Sequence, residues 1–227
     1  MFSLCIPTIG RFDTFLDKNL EKYLTFDLID EIIICDENGN DYSKICEKYK
    51  QIKVYKNETI LGPFLNKMKV CKLAKNEWIV LMDSDNFADQ SYFEIAKKYI
   101  HEVTPSNRSI LSPCFAKPSF NYTHLINVYT KNNLFNNDCL INTGNYIINK
   151  YLIDNIDISK ELENIKQSSA CDVIFFNTLL FEQLDLEFHV VKDMEYNHVV
   201  HNGSVWNTTH SQFKNFNESI YKRFKNL

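Results

Sequence analysis

The chain has 227 residues and a formal charge of −4, from 25 basic and 29 acidic side chains. That length fits one large domain, and an acidic balance argues against duplex nucleic acid as the main partner, because such proteins are as a rule basic. Hydrophobic residues at 44% supply a sizeable core, and 5 Gly with 5 Pro are too few for long disordered linkers.

No apolar run reaches the length of about 18 residues that a membrane span needs. The first residues, MFSLCIPTIGRF, lack the basic region and long apolar stretch of a signal peptide. Seven cysteines, an odd number with no C-x-x-C, read as reduced thiols and point to a cytoplasmic protein.

In chain order, residues 2–6 form a short apolar run closed by Pro7. Residues 12–24 carry apolar side chains at helical spacing. Residues 31–35, Glu-Ile-Ile-Ile-Cys, are a β-branched run broken by Asp-Glu-Asn-Gly. A short helix at 42–49 and a strand at 52–55 follow. Pro63 opens a helix to about residue 74, and residues 78–82 form a fourth strand that ends at Asp83. The second half predicts a helix at 90–100, a strand at 109–115 and a turn-led strand at 142–149. It ends with a helix at 172–183, a strand at 186–191 and a last amphipathic helix at 212–224. Strands apolar on both faces and alternating with helices imply a mostly parallel sheet of the α/β class, extended by an antiparallel part.

Ligands of such sheets bind beyond the carboxyl ends of the strands. Polar clusters gather there: Pro7-Thr8, Asp36-Glu37-Asn38 and Asp83-Ser84-Asp85-Asn86. In an extended chain, residues two apart point the same way. Asp83 and Asp85 would therefore repel unless a cation intervened, and paired carboxylates suit Mg²⁺ or Mn²⁺, which also bind substrate phosphates. An EF-hand beginning at Asp83 is excluded, since Phe87 and Ala88 stand where that loop needs an oxygen ligand and a glycine.

Taken together, Pro7-Thr8, Asp36, the helix from Pro63 and Trp78-Ile-Val-Leu-Met-Asp-Ser-Asp resemble the donor half of family-two-type glycosyltransferases. The resemblance covers residues 2 to about 100 well and thins out toward 206. It implies the GT-A fold in one domain of three parts: a nucleotide-sugar half at 1–100, an acceptor and catalytic half at 101–210, and a terminal helix at 211–227. It also implies that Pro7, Thr8 and Asp36 frame the nucleoside, that Asp83 and Asp85 ligate the metal, and that Arg11, Asn66, Lys67 and Ser84 complete the donor site. Gly62-Pro-Phe-Leu-Asn66-Lys67 replaces the family's usual Arg-Asn.

Asp172 opens an apolar helix and is thus a half-buried carboxylate. Inverting members place an acid there to deprotonate the acceptor, a role that needs one positioned group. Many GT-A enzymes also use a late histidine as a metal ligand. The resemblance points first to His201 and then to His198, with Ser204 on a phosphate and Trp206 as a lid. The segment Asn142-Thr-Gly144-Asn145 reads as a plain turn, or as part of an acceptor wall.

The expected reaction is transfer of a sugar from a UDP-sugar to a glycan or other hydroxyl acceptor, with inversion. Two rivals carry less. A sugar-1-phosphate nucleotidyltransferase needs a Gly-rich first loop, and Thr8-Ile-Gly-Arg11 is Gly-poor. A non-catalytic sugar-nucleotide or carbohydrate-binding protein has no need of Asp172 beside a complete acidic pair.

Overall fold

The computed structural model describes residues 1–169, 171–204 and 213–227. Four parallel strands come first: β1 (Phe2–Thr8), β2 (Ile29–Asp36), β3 (Lys53–Lys56) and β4 (Trp78–Leu81). Their crossovers carry α1 (Asp17–Tyr23), α2 (Tyr42–Lys48) and α3 (Pro63–Lys72). Later come α4 (Gln90–Val103), β5 (Ser109–Lys117), β6 (Phe120–Asn121), β7 (Val128–Tyr129) and β8 (Ile147–Asn149). After these follow α5 (Lys150–Asn155), α6 (Leu162–Gln167), α7 (Asp172–Leu184), β9 (Glu187–Asn197) and a C-terminal helix, Lys214–Lys225. Among the described residues, nine strands join one sheet, ordered β3-β2-β1-β4-β8-β5-β9-β7 with β6 beside β5. β8 runs antiparallel between β4 and β5, whereas β5 and β9 are parallel.

Strands β1, β2 and β4 bury apolar residues on both faces, as a sheet covered by helices on each side requires, whereas the edge strand β3 is half exposed. Cys5, Ile33, Cys35, Ile79 and Leu81 point into one core with α3, α7 and the C-terminal helix. Leu4, Ile6, Ile32, Ile34 and Val80 point into the other, against α1 and α4. A slip of one residue would exchange the two sets, so burial on both sides fixes the register. Among the described residues, no helix is long and apolar enough to cross a membrane.

Three of the predicted segments take a different form. The predicted helix at 12–24 begins as a π-helical turn, Phe12–Leu16, before α1. There Phe15 and Leu16 both donate to the Arg11 carbonyl at 3.0 Å. The predicted strand at 142–149 shrinks to β8. The fully buried Asn177 amide takes the carbonyls of Ile141 (2.8 Å) and Thr143 (3.0 Å), and Asn145 turns left-handed, so this backbone cannot extend. The strand predicted at 186–191 runs on to Asn197, and that extension carries the chain back to the site.

Candidate active site

β1, β2 and β4 end on the same edge, and the expected polar residues meet there. Thr8 and Asp36 are register partners across β1 and β2. Pro7 is buried in β1 opposite Cys35. One Asp36 oxygen accepts the backbone N–H groups of Asp41 and Tyr42, both at 2.8 Å. The other is buried with no partner among the described residues. Burying an unpaired carboxylate oxygen is unfavourable, so a donor from a ligand would relieve it.

Sequence reasoning missed Asp41. This buried carboxylate accepts the Thr8 hydroxyl at 2.7 Å and the backbone N–H groups of Arg11 (2.9 Å) and Phe12 (3.0 Å). It thereby holds the loop after β1, and the Thr8 hydroxyl proton is committed to it. The only sequence signal was an acid just before α2, among other turn acids.

Asn66 stands apart from the cleft. It is buried, donates to the Cys35 carbonyl at 3.2 Å and accepts from Asn57 at 3.0 Å. Asn57 in turn donates to Glu37 at 2.7 Å, and Glu37 also accepts the Gly62 N–H. This buried network fixes the start of α3. The next residue, Lys67, faces the site. Its ammonium lies 3.0 Å from Asp83 and 2.9 Å from Asp172. Burial pushes the Asp172 carboxyl up from the ordinary range; Lys67 pulls it back, and the Asp83 charge raises it further. The two carboxylates hold Lys67 charged and raise its pKa although it is buried.

Asp83 and Asp85 lie on a tight turn closed by Asn86 N–H to the Asp83 carbonyl at 3.0 Å, with Ser84 buried between them. Phe87 and Asn197 exchange backbone hydrogen bonds, and Val199 N–H donates to the Asn86 side chain at 2.9 Å. The end of β9 is thus laid along the turn. His201 follows, with its Nε2 2.9 Å from an Asp85 oxygen and its ring against Phe15. Arg11 donates to the Gly203 carbonyl, tying the loop after β1 to residues 201–204. Ser204 N–H donates to the His201 carbonyl at 3.2 Å. His198 instead stacks on Tyr196. Trp206 lies outside the described residues.

The donor set suits a divalent cation. Two carboxylates share one turn, and an imidazole nitrogen lies beside the second. Among the described residues, no three His, Cys, Asp or Glu side chains already form a metal cage. A hard cation of this kind usually needs one or two protein carboxylates, because substrate phosphates and water supply its other ligands.

A family model, Glycosyl transferase family 2, matches residues 3–151. The chain belongs to this family. Three solved structures from S. aureus resemble it. TarS 1-349 in complex with UDP-GlcNAc has TM-score 0.71 at 16% identity, covering 98% of this chain and 66% of that one. TarS 1-349 in complex with UDP has TM-score 0.66 at 17% identity, covering 88% and 61%. TarS itself has TM-score 0.67 at 18% identity, covering 88% and 37%. The chain therefore spans less than two thirds of each of these chains. No curated protein matches it. The family and the GT-A fold expected from the strand-end motifs are both borne out.

Proposed function

We propose that this family member transfers a sugar from a nucleotide-diphosphate donor, a UDP-sugar, to a hydroxyl of a glycan or similar acceptor, with inversion. The observation that carries the reading is Lys67, which pairs with both Asp83 and Asp172. One ammonium thus joins the acidic turn suited to a diphosphate to a buried carboxylate suited to a base. The family membership and the likeness to TarS complexes with UDP and UDP-GlcNAc support the donor class.

In this account the nucleoside lies over the ends of β1 and β2, framed by Pro7 and Thr8, and offers an N–H to the unpartnered Asp36 oxygen. Arg11, Ser84 and Ser204 line the diphosphate. Asp83, Asp85 and His201 would hold Mn²⁺ or Mg²⁺; such an ion neutralises the diphosphate leaving group. Asp172 accepts the acceptor's hydroxyl proton. The acceptor oxygen then bonds to the anomeric carbon from the face opposite the diphosphate. The bond from that carbon to the phosphate oxygen breaks, and the electron pair leaves with UDP. Lys67 balances Asp172 before proton transfer and keeps it aimed across the cleft.

The test is a thermal-shift panel of nucleotide sugars in the presence of MnCl₂. A true donor at a hundred times its dissociation constant stabilises the fold by about 2.7 kcal/mol. Stabilisation by UDP-sugars above the other nucleotides supports the reading; indifference to every one of them overturns it.

A further inference from the structure

The segment Asn142-Thr-Gly144-Asn145 offers more than a turn. Asn145 has φ 53°, in the left-handed region that asparagine enters more readily than most residues. Three of its polar groups serve one junction. The side-chain oxygen accepts the Asp83 backbone N–H at 2.7 Å, and the side-chain nitrogen donates to the Tyr196 hydroxyl at 3.2 Å. Its carbonyl accepts the Tyr92 hydroxyl at 2.8 Å. Asn145 is only 7% exposed, so water competes weakly for these bonds. Gly144 makes the opposite contact. A Cβ built there would lie 3.2 Å from the Val173 side chain, immediately after Asp172. One dipeptide therefore touches both arms of the site.

We propose that Gly144-Asn145 is a positioning element: Asn145 clamps the Asp83 peptide, and Gly144 admits the start of α7, so together they set the acidic turn against Asp172. The proposal rests on the donor reading above and deepens it. Neither residue needs to touch a reacting atom. Asn145 acts through the backbone of Asp83, and Gly144 acts by having no side chain. The physical reason is tolerance, since binding groups must be held to within about 0.5 Å, and Asp83 lies two residues past the end of β4, outside the sheet ladder.

The test uses the full chain and its Asn145→Ala, Asn145→Gly, Asn145→Asp and Gly144→Ala variants. Backbone hydrogen exchange is followed over residues 82–86, and UDP is titrated by calorimetry with MnCl₂ present. Asn145→Gly keeps the left-handed backbone without strain but loses the clamp, so it is the variant expected to fold. Asn145→Asp keeps an acceptor oxygen. The Ala and Gly variants of Asn145 should lose protection at the Asp83 amide and bind UDP about tenfold or more weakly, the scale of supporting groups behind a binding residue. Asn145→Asp should retain the protection, and Gly144→Ala should weaken UDP binding while leaving the clamp in place. Wild-type protection and UDP affinity in Asn145→Gly would overturn the proposal. So would a lower melting temperature with unchanged UDP affinity, which is what a purely structural residue gives. Failure of the wild-type chain to bind UDP would instead refute the donor reading, and exchange at the Asp83 amide would still decide whether the clamp exists.

Discussion

The ammonium of Lys67 lies 2.9 Å from an Asp172 carboxylate oxygen, joining the second turn of α3 to the first turn of α7. Asp83, 3.0 Å away on the other side, completes the bridge. Removing the cation leaves two acids facing each other in a partly buried site. Lys67→Met should lower kcat/KM by about a hundredfold or more, the loss seen when a preorganised electrostatic partner is deleted. Lys67→Arg should recover part of it. Steady-state kinetics on folded variants checks this, and unchanged kcat/KM in Lys67→Met would remove Lys67 from the mechanism.

The same pair sets a pH dependence. A base works only when deprotonated, and burial raises the Asp172 pKa. The acid limb of kcat/KM should therefore lie above the ordinary aspartate value of about 3.9, with activity lost as pH falls through it. Lys67 opposes this rise, so Lys67→Met should move the acid limb to still higher pH. Stability responds with the opposite sign. The folded chain holds the Asp172 proton more tightly than the unfolded chain does, so this one group favours folding as pH falls. A pH–rate profile of both proteins tests the shift, and an acid limb that stays put or moves down contradicts it.

Asp172→Asn keeps the shape of the side chain but removes the proton acceptor. Turnover should drop by about 10²–10⁴-fold, the usual worth of a general base. On the proposed reading UDP should bind with near wild-type affinity, since Asp172 is assigned to the acceptor hydroxyl and not to the diphosphate. Near wild-type turnover would remove Asp172 from its role as base.

Asn177 carries a prediction about stability alone. It is fully buried in α7, donates to the carbonyls of Ile141 and Thr143, and accepts the Tyr146 hydroxyl at 3.0 Å. Asn177→Leu strands three buried polar groups and should destabilise the fold by about 3 kcal/mol. Urea unfolding measures this, and a change under about 1 kcal/mol would show that the segment before β8 is held by other contacts.

What the sequence disclosed follows from the range of the interactions. The strands β1, β2 and β4 are apolar runs, and what they bury is written into consecutive residues. Their polar tips, Thr8, Asp36 and the turn from Asp83 to Asp85, were legible for the same reason. The partners of those tips were not. Asp41 reaches Thr8 across 33 positions, and Asn145 reaches Asp83 across 62. No local pattern encodes such pairings. α5 was missed although it carries a local signal, the Asn149 side chain accepting the Tyr151 N–H at the helix start. The preceding apolar residues of β8 masked that boundary. His201 could be singled out from its surroundings, but its place at Asp85 depends on the pairing of Phe87 with Asn197.

The central claim is that the acidic turn after β4 receives the diphosphate of a nucleotide through a divalent cation. Anomalous diffraction from a crystal soaked with MnCl₂ and UDP tests it most directly. The account predicts a manganese peak in contact with Asp85 and the UDP phosphates, with Asp83 and His201 around it and the uracil over Asp36. Ordered UDP bound elsewhere, or bound at this edge with no manganese at the turn, would contradict it.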